Sequence, residues 1–95
     1  RYRDANPYYH AWLAQQAQEE GDWWLALRNY EKALSLAPQD SRLLYDLGMT
    51  YSRMGETVTA AAYVRQAMDT ATLRSEIAAY RKQLRLLQHR QLVGT

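Results

Sequence analysis

Apolar and small side chains recur along the chain at spacings of three and four residues, which is the pattern of amphipathic α-helices. Gly21, Pro38 and Gly55 interrupt this pattern, and residues of these types commonly end helices. The spacing predicts five helices, over residues 7–20, 23–36, 43–54, 58–71 and 73–92. No stretch alternates apolar and polar residues for long enough to indicate a strand. The predicted fold class is therefore all-α.

The helical pattern repeats with a period of about 34 residues. Positions in the first unit recur with the same residue types in the second: Leu13, Gly21, Ala26, Ala33 and Ala37 return as Leu47, Gly55, Ala60, Ala67 and Ala71. Small residues at these offsets allow two helices to lie close together, and such a hairpin must stack on a neighbour to bury its apolar face. We therefore expect a helical-hairpin solenoid with two antiparallel helix pairs, residues 7–40 and 41–74.

The last predicted helix differs from the others because no partner helix follows it. Its apolar residues form one narrow stripe, and Arg and Gln residues fill the opposite face. This arrangement suits a helix that covers the open end of a stack and faces water on its other side. We expect a C-terminal capping helix at residues 75–92, with tails at residues 1–6 and 93–95. The stripe consists of Leu73, Ile77, Tyr80, Leu84 and Leu87.

Length and composition describe one globular domain. The chain has 95 residues, of which 47% are hydrophobic and 23% charged, so its core is thin. Two repeats are fewer than the roughly three that solenoids usually need, and the first residue is Arg1, so we expect a piece of a longer chain. Whether further repeats precede residue 1 stays open. No apolar run approaches the ~18 residues of a membrane span, and no signal peptide is recognisable.

The net charge of +2 is unevenly distributed. Residues 73–95 hold five basic side chains against the single carboxylate of Glu76, whereas residues 1–72 hold more acidic than basic side chains. Such a basic segment attracts nucleic acid, acidic protein or anionic lipid, but cations also suit the solvated face and the C-terminal end of a helix. The second interpretation is favoured, because no stacking platform or glycine-arginine tract accompanies the arginines.

Catalytic and metal-binding patterns are missing from the sequence. The only histidines, His10 and His89, lie at opposite ends of the chain on different predicted helices. Glu19 and Glu20 are adjacent, and neighbouring side chains on a helix point about 100° apart. With no cysteine, no HExxH pattern and no acidic calcium loop, the sequence offers neither a thiolate nucleophile nor a recognisable metal site. We predict a protein that is not an enzyme and has no cofactor. Its cellular compartment stays open, because the absence of cysteine suits reducing and oxidising surroundings alike.

In the period and the spacing of its apolar and small residues, the chain resembles the tetratricopeptide repeat, a helix-turn-helix unit with small and large apolar residues at fixed offsets. The segment from Gly21 to Pro38, GDWWLALRNYEKALSLAP, lies very close to the family pattern. The second unit fits at Leu44, Leu47, Gly48, Tyr51, Gly55, Ala60, Ala67 and Ala71. Departures from the family pattern are His10 at an apolar position, Ala17 at a tyrosine position, Val64 at an aromatic position and Thr72 at the closing proline.

The resemblance implies a binding function. In this family the first helices of successive repeats line a concave groove that holds an extended peptide or a partner helix. It therefore implies a protein or peptide partner and no small-molecule substrate. Carried over position by position, the groove would contain Tyr8, Gln15, Glu19, Arg42, Tyr45, Met49, Arg53 and Gln83, with Ala11 and Ala79 between them.

The best-defined ligand of the family is a chaperone C-terminus that ends in acidic residues and is held by a clamp of Lys, Arg and Asn. The corresponding residues here are Ala11, Gln15, Asp46, Glu76 and Tyr80, so the clamp is absent. An aspartate at the position of an amide donor repels a terminal carboxylate. We predict no binding of such chaperone tails.

Two alternative functions stay open. One is a structural or oligomerisation role, in which Trp24 and Leu86 form a second interface with another domain or a second copy. Trp23 and Trp24 cannot both face one core, so we expect Trp23 to pack between helices and Trp24 to be exposed or partly covered by Tyr2 and Tyr8. The other alternative is contact between the basic last helix and nucleic acid or a membrane surface, which is disfavoured for the reasons above.

Overall fold

The structure, a computed structural model, describes residues 2–94, and every regular secondary-structure element within that range is a helix. These helices are α1 (Tyr2–Ala5), α2 (Pro7–Glu19), α3 (Trp23–Leu36), α4 (Ser41–Arg53), α5 (Thr57–Thr70) and α6 (Arg74–Val93). The predicted all-α helical-hairpin fold is confirmed. Helices α2 to α6 correspond to the five helices predicted from the sequence, with each end displaced by no more than two residues.

Side-chain caps explain where the helices start. Asn6, Asp22 and Asp40 precede α2, α3 and α4, and each accepts a hydrogen bond from a backbone N–H of the first turn. The Asp40 carboxylate accepts two such bonds, at 3.0 and 3.2 Å. Because this cap satisfies donors that directly follow Asp40, α4 begins at Ser41 and not at the predicted residue 43.

A short helix lies within the segment predicted as an N-terminal tail. Helix α1 is held against α2 by His10, whose ring Nε2 donates to the backbone oxygen of Asp4 at 2.9 Å. The guanidinium carbon of Arg3 lies 5.7 Å from the centre of the Tyr9 ring. His10 is buried, so it fills the position where the family pattern has a large apolar residue.

Helix α4 stands at the centre of the core. One of its faces packs with α2 and α3, and another packs with α5 and α6. Gly48 permits the close approach of α5: a β-carbon there would lie 3.1 Å from Val64 Cγ2 and 3.2 Å from the Ala60 backbone oxygen. The two clusters contain Ala14, Leu27, Tyr30, Leu43 and Leu47 on one side and Leu44, Val64, Tyr80, Leu84 and Leu87 on the other.

The turns inside the two hairpins are built alike. Gly21 and Gly55, one period apart, have φ angles of 79° and 84°, which side chains with a β-carbon rarely adopt. Each glycine ends a helix and lets the chain reverse into the next one. The hairpins α2–α3 and α4–α5 therefore repeat the same geometry.

Helix α6 packs on α5 and closes the stack. Its buried side chains are Tyr80, Leu84 and Leu87. Leu73, which the sequence placed in the same apolar stripe, precedes the helix and is 58% exposed, so the stripe begins only at Ile77. Near the other end of α6, the Arg90 guanidinium donates to the Ser52 hydroxyl at 3.0 Å and joins α6 to the end of α4.

Candidate functional site

Three adjacent cavities open between α2, α4 and α6, and together we call them the groove. The first cavity, of about 340 Å³, lies between the C-terminal halves of α2 and α4 and is floored by Tyr30 of α3. The second, of about 410 Å³, lies between the N-terminal halves of the same helices. The third, of about 260 Å³, lies between α4 and α6. Asp46 lines all three cavities, which makes it the residue where they meet.

Two hydrogen bonds connect α2 with α4 along the groove. The Tyr8 hydroxyl donates to the Asp40 carboxylate at 2.5 Å, near the start of both helices. The Thr50 hydroxyl donates to the side-chain oxygen of Gln18 at 2.5 Å, nearer their ends. Both pairs are separated by 32 residues in sequence, so the two helices run side by side in a constant register. These bonds fix the width of the first and second cavities.

A tyrosine pair connects α4 with α6. The rings of Tyr45 and Tyr80 stack with their centres 4.4 Å apart and their planes inclined by 20°. Tyr80 is buried, whereas Tyr45 is half-buried and lines both the first and the third cavity. One face of the Tyr45 ring is therefore used for packing, and only the remainder of the side chain is open to a ligand.

Burial perturbs the ionisable side chains at the centre of the groove. Burial raises the pKa of the Asp46 carboxyl above its usual value, and the positive charges of Arg42 and Arg53 partly oppose this shift. Burial, assisted by the negative charge of Asp46, raises the pKa of the Tyr30 hydroxyl to about 12. Hydrogen bonding to Asp40 raises the pKa of Tyr8. The hydroxyls of Tyr30 and Tyr8 are thus protonated at neutral pH.

The groove holds more carboxylates than cations. Its lining includes the four carboxylates of Glu19, Asp40, Asp46 and Glu76 but only the two guanidinium groups of Arg42 and Arg53. The basic side chains of α6 lie elsewhere: Arg81, Lys82 and Arg85 are exposed and line none of these cavities. The groove is therefore acidic although the chain as a whole is basic.

Seven of the eight groove residues named from the resemblance line these cavities. Gln83 is the exception, because it lies one helical turn beyond Ala79 on α6, past the lining of the third cavity. The residues in place are Tyr8, Gln15, Glu19, Arg42, Tyr45, Met49 and Arg53. From the sequence alone, Asp46 stood out only as a mismatch to the chaperone clamp. Its spacing, four residues after Arg42 and seven before Arg53, was the signal that it shares their face of α4.

The residues predicted as a second interface lie outside the groove. Trp24 is 72% exposed on the first turn of α3, beside the exposed Leu25, and Leu86 is 48% exposed on α6. Trp24 is therefore largely uncovered, and the Tyr8 hydroxyl is bonded to Asp40. Trp23 is half-buried, as expected for a ring packed between helices.

A metal site requires a cluster of ligating side chains, and a membrane span requires a long apolar helix. Among residues 2–94, no group of three or more His, Asp or Glu side chains is placed to hold a metal ion. In the same range, no helix combines the length and the apolar character needed to cross a membrane.

Comparison with known families identifies the repeat. Residues 29–62 match the tetratricopeptide repeat. This 34-residue window starts inside α3, contains all of α4 and ends inside α5, so its length agrees with the period in the sequence. No curated protein matches the chain. The match confirms the family resemblance, and this family supplies protein–protein interaction modules that are generally non-catalytic.

Proposed function

Because the chain contains a tetratricopeptide repeat, we propose that it is a non-catalytic module that holds an extended peptide or a partner helix in the groove. The single observation that supports this proposal best is the group of three adjacent cavities that meet at Asp46 between α2, α4 and α6. Adjacent cavities with shared lining residues suit several side chains of one ligand segment better than one compact small molecule.

Recognition then depends on a surface formed before the ligand arrives. The Tyr8–Asp40 and Thr50–Gln18 hydrogen bonds and the Tyr45–Tyr80 stack hold the three helices at fixed distances. A preformed groove loses little conformational entropy on binding, so more of the contact energy appears as affinity. Met49 adds an adaptable apolar contact inside the first cavity.

The test fills the groove with bulky side chains and compares peptide binding with that of a matched control variant. The double variant Gln15→Trp, Ala79→Trp places an indole in the first two cavities and another in the third, and both positions are exposed. The control Gln16→Trp, Ala78→Trp makes the same changes one residue along, at exposed positions that line none of the three cavities. Both variants must first show wild-type helicity by circular dichroism.

Peptides are selected on the wild-type protein from a randomised phage-display library, and their affinities for both variants are then measured. We expect the groove variant to lose at least about tenfold in affinity, or about 1.4 kcal/mol, and the control to stay within about twofold. Equal affinities of the selected peptides for the two variants, or a selection that yields no binder, would contradict the proposal.

A second candidate function is a structural contact through the surface around Trp24. It is favoured by one observation, the exposure of the neighbouring Trp24 and Leu25 on the first turn of α3. Exposed neighbouring apolar side chains commonly mark a protein interface. In this case a ligand or a second copy of the chain would contact α3 and leave the groove empty. Mapping the NMR chemical shifts of the groove amides and the Trp24 indole distinguishes the two functions.

A further inference from the structure

The position of Asp46 indicates what kind of side chain the groove accepts. Asp46 is the one residue common to the linings of all three cavities, so a segment that crosses the groove passes its carboxylate. The carboxylate is half-buried. Within residues 2–94 it takes part in none of the side-chain hydrogen bonds or ion pairs that the structure forms, so its oxygens remain available as acceptors.

The surrounding charges favour a cationic ligand. Arg42 and Arg53 act on Asp46 from either side along α4, yet both are exposed. Three further carboxylates, Glu19, Asp40 and Glu76, line the same cavities, so the two guanidinium groups leave the groove with an excess of negative charge. Opposite charge across an interface favours association and suppresses wrong partners.

The shape of the site beside Asp46 favours arginine over lysine. In the first cavity Asp46 is accompanied by the rings of Tyr30 and Tyr45 and by the thioether of Met49. A guanidinium group is planar, forms paired hydrogen bonds with a carboxylate and stacks on aromatic rings, whereas an ammonium group acts as a compact, strongly hydrated charge. The cavity thus offers a carboxylate for the paired hydrogen bonds of a guanidinium group and aromatic side chains for its planar surface.

We propose that the groove selects extended peptides that carry an arginine, whose guanidinium group pairs with the Asp46 carboxylate beside Tyr45. This inference rests on the proposed function, since it specifies the ligand of the same groove. It also extends the mismatch noted in the sequence: the aspartate that repels an acidic tail becomes the anchor for a basic one.

The experiment uses defined peptide pools. Peptides of about nine residues span roughly 30 Å when extended, similar to the 30 Å middle dimension of the molecule. They are acetylated and amidated, carry uncharged randomised flanks, and hold Arg, Lys, citrulline, Gln or Glu at the centre. Citrulline keeps the shape of arginine without its charge. Binding to the full chain is measured by fluorescence anisotropy at low ionic strength.

Two variants distinguish the effect of the Asp46 charge on binding from the effect of the protein's net charge. Asp46→Asn preserves the size of the side chain and removes the carboxylate. The matched control Glu31→Gln removes one negative charge from an exposed residue of α3 that lines none of the three cavities. Both variants are compared with the wild type by circular dichroism before binding is measured.

We expect the wild type to bind the Arg pool at least about tenfold more tightly than the Gln and citrulline pools, with Lys between them. Asp46→Asn should reduce this preference to about twofold or less, and Glu31→Gln should retain it. Equal binding of the Arg, Gln and Glu pools, a preference for Glu, or an Arg preference unchanged in Asp46→Asn would overturn the inference while leaving groove binding intact. Failure of every pool to bind would also overturn it, and the blocked-groove experiment then decides separately whether the proposed function fails.

Discussion

Tyr30 and Asp46 illustrate how single residues serve both the core and the groove. Tyr30 is 2% exposed and belongs to the core between α2, α3 and α4, yet it also lines the first cavity. Asp46 stands beside it, and the negative charge of Asp46 makes ionisation of the Tyr30 hydroxyl less favourable. Tyr30 lies in the Gly21–Pro38 segment that is close to the family pattern, but the presence of a carboxylate next to its hydroxyl depends on how α3 and α4 pack.

At the scale of this residue, the structure predicts a loss of stability in alkali. The pKa of Tyr30 is about 12 in the folded protein and about 10 when unfolded, so its contribution is complete below pH 10 and declines as the pH rises towards 12. We expect the wild type to lose on the order of 2 kcal/mol over this range through Tyr30. Urea unfolding at pH 8 and pH 11 checks this, with Tyr30→Phe as the comparison.

Tyr30→Phe removes the ionisable hydroxyl and retains the ring. Its free energy of unfolding should therefore fall less between the two pH values than that of the wild type. An identical fall in the two proteins would show that Tyr30 does not contribute to the alkaline response.

Among the elements, the contact between α4 and α5 depends on one missing side chain. Gly48 lies where a β-carbon would contact Val64 and the Ala60 backbone at 3.1 and 3.2 Å. The repeat pattern in the sequence includes this glycine. The five predicted helices also agree closely with α2 to α6. Such agreement was possible because helical periodicity, caps and turn glycines are local signals.

We predict that Gly48→Val destabilises the protein by about 1–3 kcal/mol, because branched carbons must displace the Val64 side chain or separate the helices. Thermal unfolding followed by circular dichroism measures the change. Ala78→Val, at an exposed position of α6, serves as the control and should shift stability by no more than about 0.5 kcal/mol. If Gly48→Val were as stable as this control, the close approach of α4 and α5 would be incorrect.

Contacts between helices that are distant in sequence were not predictable from helical periodicity, caps and turn glycines. The Tyr45–Tyr80 stack joins side chains on two helices that are not consecutive, so it depends on the rotation of α6 against the stack. The Tyr8–Asp40 hydrogen bond likewise uses the second oxygen of the carboxylate that caps α4, and it depends on how α2 packs beside that cap. Gln83 fell outside the lining of the cavities because the third cavity is confined to the first turns of α6.

On the scale of the whole molecule, the helices separate two surfaces of opposite charge. The groove between α2, α4 and α6 has an excess of carboxylates, whereas α6 carries five exposed basic side chains against the single carboxylate of Glu76. The sequence revealed the basic segment because its residues are consecutive. The acidic groove was hidden, because Glu19, Asp46 and Glu76 come from three separate helices and meet only in the folded stack.

The central claim, that ligands bind in the groove, is tested most directly by NMR. A peptide selected on the wild-type protein is titrated into ¹⁵N-labelled protein, and changes in amide and indole chemical shifts are mapped. We predict that the largest changes occur at Gln15, Asp46 and Met49, with the Trp24 indole unaffected. Changes concentrated at Trp24 and Leu25, with the groove amides unchanged, would contradict the claim and favour the structural contact through α3.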